Sequence, residues 1–328
     1  MTRKNMSGRT KPFLLSPAAK DYLWGGSRLN DDFNKDIPMF PLAETWECSI
    51  HPDGQSVVAS GEHAGSKLED VLEAHPEWLG THAAAVGNGK LPILIKLIDA
   101  RANLSVQVHP DDEYSLRVEE QLGKTEMWYV LDARPDSSLV YGFSRDAEKD
   151  EIRRAIAEDR IGEYLNRVPI RRDDVFFIPA GTVHALGAGV LVAEVQENSN
   201  VTYRLYDYGR GRETHVEKAL DVANLLSSAA PRQPMRVLRY RNGAASELLC
   251  RCKYFQVERV LLNTEGRRMP SFRAEENSFH ALLCVAGCGV MLGEGVDMPF
   301  FKGDCIFLPA DSIPLQLHGR AQILNVSC

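Results

Sequence analysis

The segment from Leu104 to His109 carries the residue types best suited to chemistry. Side chains that alternate along a β-strand share a face, so Ser105, Gln107 and His109 would lie together on one side. Burying a polar group without a partner costs about 1–3 kcal/mol. These three groups therefore need partners, which a metal ion or a bound ligand would supply. The alternative is a strand whose polar face is open to solvent.

Two further segments add charge and ligand types. Lys124 and Glu126 share a face at the start of an apolar run, and His184 ends the turn that begins at Pro179. Taken singly, the first pair could be a surface ion pair and the histidine a hydrogen-bonded core residue. All three segments together supply two His, one Glu and one Gln. Two His and a carboxylate suit zinc or ferrous iron, whereas Gln is a weaker, neutral oxygen ligand.

A polar segment from Glu194 to Arg210 follows directly on an apolar run. Within it, Arg204 offers a planar fork of donors that suits phosphate, carboxylate or a developing oxyanion. An ordinary network of ion pairs is the alternative explanation.

The elements that must position these residues are mostly strands. Short apolar runs separated by Gly, Pro, Asn and Asp are typical of a β-sandwich or barrel. The predicted strands cover 91–98, 127–131, 175–178, 190–195, 281–285 and 306–308. Helical spacing predicts three insertions, at 66–78 with a capping box between Ser66 and Glu69, at 148–168 and at 216–226.

An internal repeat relates Asp174–His184 to Asp304–Pro314 without gaps. Both copies run as a strand into a Pro-Ala turn, and the first copy resembles the cupin motif that delivers a metal-binding His. Pro314 replaces His184 in the second copy and has no ligand atom. We therefore predict a mainly β fold of two cupin-like jelly-roll domains with a few helical insertions, the second cupin being degenerate.

The predicted domains are a disordered leader at 1–12, a catalytic metal-binding cupin at 13–235 and a degenerate cupin at 236–328, joined by a linker at 231–234. The chain has 328 residues and a net charge of −7, which argues against a nucleic-acid surface. No run of about 18 apolar residues and no signal peptide is apparent. Seven cysteines in a chain of this size favour reduced thiols and a cytoplasmic location.

Seven motifs in order resemble the type I mannose-6-phosphate isomerases, in particular the short bacterial form, from about residue 13 to the C-terminus. They are Trp24-Gly-Gly, the stretch from Ala43 to Gly54, Lys96-Leu-Ile-Asp-Ala, Leu-Ser105-Val-Gln107-Val-His109-Pro, Gly-Lys124-Thr-Glu126, Pro-Ala-Gly-Thr-Val-His184 and Thr-Tyr-Arg204-Leu-Tyr-Asp. The resemblance implies an aldose–ketose isomerase that interconverts mannose 6-phosphate and fructose 6-phosphate through a cis-enediol.

The resemblance also implies roles for single residues. One divalent metal, expected to be Zn²⁺, would be held by Gln107, His109, Glu126 and His184. The residues implied in binding the substrate and its phosphate, or in proton transfer and charge stabilisation, are Lys96, Ser105, Lys124, Glu194 and Arg204. Lys124 is favoured as the base because a nearby dication lowers the pKa of an amine, and Glu194 is the rival. The family often has Asp where this chain has Asn200.

Three other functions compete with this interpretation. A ferrous cupin oxygenase would use two His and one Glu, but it leaves the cations Lys96, Lys124 and Arg204 unexplained. A non-catalytic sugar-phosphate-binding cupin would be expected to have lost metal ligands. An isomerase of another aldose phosphate would share every motif. The expected partner is a small sugar phosphate, with no nucleic acid or membrane, and the expected assembly is a monomer or homodimer.

Overall fold

The computed structural model describes residues 10–229, 231 and 236–328. Most of the predicted leader, residues 232–234 of the predicted linker and the boundary at 235 lie outside the described residues. Among the described residues, no helix is long and apolar enough to cross a membrane.

The strands of the first part of the chain are β1 (Phe13–Ser16), β2 (Ala18–Lys20), β3 (Glu44–Cys48), β4 (Val57–Val58), β5 (Ile93–Ala100), β6 (Val106–Val108), β7 (Glu126–Ala133), β8 (Ser138–Phe143), β9 (Leu165–Pro169), β10 (Val175–Ile178), β11 (His184–Leu186), β12 (Val190–Glu197) and β13 (Tyr203–Tyr206). The later strands are β14 (Arg239–Arg241), β15 (Ala244–Arg251), β16 (Gln256–Asn263), β17 (Ser271–Phe272), β18 (His280–Gly293), β19 (Val296–Phe301), β20 (Cys305–Leu308) and β21 (Leu315–Ser327). The helices are α1 (Arg28–Asp31), α2 (Leu68–Ala74), α3 (Thr81–Val86), α4 (Asp112–Val118), α5 (Lys149–Ala157) and α6 (Val216–Val222).

Three antiparallel sheets carry the fold. A six-stranded sheet has the order β10-β7-β12-β5-β3-β2, a five-stranded sheet has the order β13-β6-β11-β8-β9, and the third runs β14-β15-β16-β21-β18-β20-β1-β4, with β17 and β19 paired at β21 and β18. The mainly β, cupin-type prediction is therefore confirmed, and each of the six predicted apolar strands is observed.

The six-stranded sheet lies in the middle and is covered on both faces. Ile98 and Trp128 on one face pack with Leu139 and Leu186 of the five-stranded sheet. Alternate residues on the other face pack with residues of the third sheet, among them Phe307. Double coverage explains why β5 and β12 are buried along their whole length and are apolar almost without a break. The few polar residues on these two buried strands therefore stand out from their apolar neighbours.

The N-terminal strands β1 and β4 join the sheet of the C-terminal part, because β1 pairs antiparallel with both β20 and β4. The division of domains near residue 235 stays a prediction, and these strands show that hydrogen bonding crosses it. The internal repeat has a structural counterpart. Strands β10 and β20 occupy matching positions, and β11 begins at His184 while β21 begins directly after Pro314.

The predicted start of the first helix is wrong. Helix α2 begins at Leu68 with Lys67 as its N-cap, and no side chain caps it, so the expected capping box of Ser66 and Glu69 does not form. Ser66 instead uses its backbone, since its carbonyl accepts from the N–H of Val58 at 2.8 Å.

The second predicted helix is too long. Helix α5 starts with a capping box in which Glu148 N–H donates to Glu151 Oε2 at 2.9 Å. It ends at Ala157, and Asp159 follows with a left-handed φ of 57° that a helix cannot continue through. Residues 165–169 form β9, which pairs antiparallel with β8. The third helix, α6, matches its predicted start and ends four residues early.

Candidate active site

The candidate site lies on the face of the six-stranded sheet that packs against the five-stranded sheet. Trp46, Lys96, Glu194 and Trp128 are consecutive cross-strand partners on β3, β5, β12 and β7 and form one row across the sheet. Glu126 is two residues before Trp128 and therefore shares its face. The sheet thus places a cation and two carboxylates in an apolar interior, where charges need close partners.

Three of the four predicted metal ligands meet at one point. The donor atoms of His109, Glu126 and His184 all lie within 4.8 Å of one another, and all three side chains are buried. His109 Nε2 is 3.5 Å from Glu126 Oε2, and His184 Nε2 is 3.2 Å from Glu126 Oε1. The facing sheets supply them, since His184 begins β11 and Glu126 begins β7.

Hydrogen bonds to the backbone fix the tautomer of both histidines. His109 Nδ1 donates to the carbonyl of Val201 at 2.8 Å, and His184 Nδ1 donates to the carbonyl of Thr182 at 2.8 Å. Each Nε2 therefore turns its lone pair toward Glu126, which is the arrangement that metal-binding histidines adopt. Burial lowers the pKa of His184 to about 4 and that of His109 well below its usual value, so both are in the neutral, ligand form at pH 7.

The donor set fits a divalent cation. Glu126 Oε1 is buried without a hydrogen-bond donor. Burial and the nearby charge of Glu194 raise the pKa of Glu126 by more than the charges of Lys124 and Lys96 lower it. Two neutral imidazoles and a carboxylate match the usual ligands of zinc.

Gln107 lies next to this cluster. It pairs with His184 across the β6–β11 ladder, and its Nε2 is 3.4 Å from His184 Nε2. Ser105 Oγ donates to Gln107 Oε1 at 3.4 Å, a long contact. Rotating the amide by half a turn would present Oε1 to the cluster, so Gln107 is placed to act as the fourth ligand. The predicted shared face of Ser105, Gln107 and His109 brings all three toward the site.

Lys124 contacts two of the donor atoms. Its Nζ donates to His109 Nε2 at 3.0 Å and also to Glu126 Oε2. Only 4% of the side chain is exposed, so the alternative of a surface ion pair is wrong. Lys124 Nζ is also 3.9 Å from Glu194 Oε1, and the two candidate bases therefore lie side by side.

Lys96 is held between two carboxylates. Its Nζ is 3.3 Å from Glu194 Oε1 and 3.7 Å from Glu44 Oε2, and it lies 4.8 Å from the centre of the Trp46 ring. Trp46 Nε1 donates to the same Glu44 oxygen at 2.7 Å. Burial would lower the pKa of Lys96, but the two carboxylates outweigh it and raise that pKa.

Glu194 is kept ionised by its neighbours. Burial alone would raise its pKa, but Lys124, Lys96 and the indole of Trp128 together lower it to about 2. Trp128 Nε1 donates to Glu194 Oε2 at 2.7 Å. Sequence reasoning missed the roles of Glu44, Trp46 and Trp128. Their cross-strand register with Lys96 and Glu194 was the signal, and a single sequence does not reveal register.

Arg204 lies beside Gln107 in the β13–β6 ladder. Its Nη1 donates to the carbonyl of Glu213 at 2.5 Å, while its buried Nε has no acceptor. Burial and the nearby charges of Arg212 and Arg210 lower its pKa. An unpartnered Nε–H of Arg204 near the cluster of His109, Glu126 and His184 suits a bound oxyanion.

Asn200 has a partner that explains its amide. Its Nδ2 donates to Asp53 Oδ2 at 2.8 Å, and the same Asp53 oxygen is 3.6 Å from His51 Nδ1. An aspartate at position 200 would place two carboxylates against each other. The neutral side chain is therefore matched to its surroundings.

A large cavity of about 1220 Å³ lies elsewhere in the molecule. Its lining includes Phe13, Trp78, His75 and Met298 but none of the predicted site residues. We assign the chemistry to the buried cluster, because ligand geometry, fixed tautomers and paired charges converge there.

Two segments of the chain match domains of known protein families. The family described as phosphomannose isomerase type I, catalytic domain, matches residues 13–160, and the mannose-6-phosphate isomerase cupin domain matches residues 246–328. Mannose-6-phosphate isomerase ManA of Bacillus subtilis (strain 168) is 34% identical over 325 residues, which cover 96% of this chain and 98% of that protein. A mannose-6-phosphate isomerase of Streptococcus mutans is 33% identical over 321 residues, 96% of this chain and 97% of that protein.

Two solved structures share the fold of this chain. The mannose 6-phosphate isomerase of Bacillus subtilis has a TM-score of 0.88 at 33% identity, and the match covers 97% of this chain and 100% of that one. A phosphomannose isomerase mutant of Salmonella typhimurium has a TM-score of 0.75 at 17% identity, over 97% and 99% of the two chains, and shows the shared fold.

Proposed function

The chain belongs to the type I mannose-6-phosphate isomerase family, and from this premise we propose that it interconverts mannose 6-phosphate and fructose 6-phosphate through a cis-enediol. One observation carries the proposal: His109, Glu126 and His184 converge with Lys124 in a buried cluster. A two-His, one-carboxylate set beside a lysine offers both an electrophile and a base, as an aldose–ketose isomerisation requires.

We propose that Gln107, His109, Glu126 and His184 hold one divalent metal, and that this metal is zinc. The fixed Nε2 lone pairs of the two histidines and the unpartnered Glu126 Oε1 support this ligand set. When bound, the metal would supply Lewis-acid stabilisation of the negative charge that develops on the sugar oxygens.

Proton transfer between C1 and C2 of the open-chain sugar is assigned to Lys124, with Glu194 as the rival. Support for Lys124 comes from Glu194 itself, whose ion pairs with two lysines and whose hydrogen bond from Trp128 lower its pKa to about 2. A carboxylate held so firmly in its ionised form is a weak base, because an effective base has a pKa near the working pH. Glu194 would then act by orienting Lys124 and Lys96.

Substrate binding is assigned to Arg204, Ser105 and Lys96. Arg204 would stabilise oxyanion charge or bind the phosphate through its unpartnered Nε. Ser105 lies beside Gln107 and would contribute a hydroxyl. Lys96 remains a predicted phosphate contact, although both of its carboxylate neighbours already balance its charge. Binding energy from the remote phosphate would orient the reacting carbons. We further propose a cytoplasmic enzyme that is a monomer or homodimer.

The test is isomerisation of mannose 6-phosphate by protein that has been stripped with a chelator and then refilled with zinc. We expect activity to disappear on stripping and to return with the metal, and elemental analysis to give one zinc per chain. His82→Ala is the matched control for His184→Ala because His82 is exposed. Bound zinc without isomerisation would refute the proposed substrate and direct the search to other aldose phosphates.

A further inference from the structure

The backbone on both sides of Lys124 is held by two acidic side chains. Gly123 N–H donates to Asp112 Oδ1 at 3.0 Å, and Thr125 N–H donates to Glu197 Oε1 at 2.7 Å. Lys124 N–H itself donates to the carbonyl of Pro110 at 3.0 Å. Three consecutive amides are therefore fixed from outside the segment.

The segment 122–125 is also fixed by the carbonyl of Leu122 and by the close steric contact at Gly123. The carbonyl of Leu122 accepts from Ser115 Oγ at 3.0 Å and from Ser199 Oγ at 2.8 Å. A Cβ added to Gly123 would lie 2.4 Å from the backbone carbon of Asp111, closer than real contacts allow. The segment therefore packs tightly against the loop that leads into α4, and a displacement of either would move the other.

The two acidic side chains face each other. Glu197 Oε2 is buried, and no donor gives it a hydrogen bond when the carboxyl group is ionised. Burial and the charge of Asp112 raise the pKa of Glu197, whereas hydrogen bonds with Tyr254, the Gly123 amide and Glu197 outweigh burial and lower the pKa of Asp112. Two carboxyl groups can share a hydrogen bond only when one of them carries a proton.

The third participant comes from the C-terminal part of the chain. Tyr254 lies in the turn between β15 and β16, which the Cys252 N–H closes by donating to the Phe255 carbonyl at 3.0 Å. Tyr254 Oη donates to Asp112 Oδ2 at 2.8 Å. This hydrogen bond satisfies the Asp112 oxygen that the Gly123 amide does not use. A residue of the degenerate C-terminal cupin is thus linked through two hydrogen bonds to the Gly123 amide, which is next to Lys124.

We propose that Asp112, Glu197 and Tyr254 form a clamp of positioning residues that fixes the backbone around Lys124, so that the second cupin contributes to catalysis by positioning this lysine. The hydrogen bonds of the clamp to this segment end on the backbone amides of Gly123 and Thr125, so the clamp acts through Lys124. Its catalytic consequence rests on the proposed function of Lys124. Displacing a catalytic group by about 1 Å costs about a hundredfold in rate, so the clamp needs to hold Lys124 only to that tolerance.

The surroundings of Glu197 give the clamp a pH limit. Burial and the charge of Asp112 raise the pKa of Glu197 to about 8. The groups that face it are Asp112 on α4 and Tyr254 and Cys252 in the β15–β16 turn, while Lys253 Nζ lies 3.5 Å from Asp112. Above that pH the shared proton is lost, and two carboxylates repel each other.

Four variants test the clamp. Tyr254→Phe removes one donor, and Glu197→Ala removes the acceptor of the Thr125 amide. Glu197→Gln keeps that acceptor, and its amide N–H replaces the shared proton. Tyr240→Phe is the matched control, because Tyr240 is 79% exposed. We expect Tyr254→Phe and Glu197→Ala to lower kcat by about tenfold with KM changed by less than about twofold, since the loss is in positioning and not in binding.

The pH profile separates positioning from simple destabilisation. Wild-type kcat should fall as the pH rises past about 8, whereas Glu197→Gln should match the wild type at pH 7 and keep its activity to higher pH. Equal profiles for the wild type and Glu197→Gln, or unchanged kcat in Tyr254→Phe, would overturn the clamp.

Hydrogen exchange provides a readout that does not depend on activity. We expect the amides of Gly123 and Thr125 to exchange at least about tenfold faster in Tyr254→Phe and Glu197→Ala than in the wild type and Tyr240→Phe. Unchanged exchange rates would refute the clamp even if the wild type is an active isomerase. Faster exchange in a protein without isomerase activity would uphold the clamp and refute the proposed function. If Glu197→Ala does not fold, Tyr254→Phe and Glu197→Gln still test whether the clamp exists.

Discussion

Replacing Lys96 with methionine tests how the buried charges of the site depend on one another. Methionine keeps most of the volume of the side chain but removes the ammonium group that lies 3.3 Å from Glu194 and 3.7 Å from Glu44. Only 5% of the Lys96 side chain is exposed. Removing one partner of a buried ion pair costs about 3–5 kcal/mol, because the remaining charge is left uncompensated.

The chain contains a matched control for this experiment. Lys90 Nζ lies 3.7 Å from Glu69 Oε1, the same separation as in the pair of Lys96 and Glu44, but 64% of the Lys90 side chain is exposed. An exposed pair contributes about 0–1 kcal/mol. The same substitution, lysine to methionine, should therefore have effects on stability that differ by at least about 2 kcal/mol.

The measurement is the free energy of unfolding from urea denaturation of the wild type, Lys96→Met, Lys90→Met and the double variant Lys96→Met with Glu44→Gln. We expect the double variant to recover part of the loss, because it removes one of the two carboxylate charges that Lys96 balances. A loss in Lys96→Met as small as that in Lys90→Met would refute the reasoning. It would mean that water or the indole N–H groups of Trp46 and Trp128 stabilise the two carboxylates as well as the ammonium does.

Three further predictions concern the site and the thiols. Lys124→Ala should keep bound zinc but lose at least about a hundredfold in turnover, measured by coupled assay with metal analysis, and normal turnover would exclude Lys124 as the base. His184→Ala should lose both zinc and activity, and a fully loaded, active variant would contradict the ligand set. Cys48 is fully buried and burial raises the pKa of its thiol, so labelling of the native protein should reach the exposed Cys288 quickly and Cys48 only after unfolding. Fast labelling of Cys48 would show that this region opens.

Much of the fold could be predicted from the sequence because its signals are local. Apolar runs such as Val190–Val195 mark strands wherever they occur, and the repeat that ends at His184 and Pro314 indicates two related domains. The helix ends could not be predicted as well. Asp159 ends α5 by adopting a left-handed φ, and the spacing of apolar residues in the sequence carries no sign of it.

The residue types of the site were readable, but their partners were not. Glu126 and His184 can be identified from their motifs, because ligand chemistry depends on residue type. The resemblance to a known family then assigns them the role of metal ligands. The row of cross-strand partners on the central sheet depends on register, and the bonds of Asp112 and Glu197 to the Lys124 segment depend on how distant elements pack. The sequence alone therefore determined the strands, the repeat and the set of chemical groups. Only the tertiary structure decided which charges neutralise each other and that Tyr254, 130 residues beyond Lys124 by their numbers, helps to hold it. Hydrogen bonds and ion pairs act through a few ångströms of space, and chain distance does not limit them.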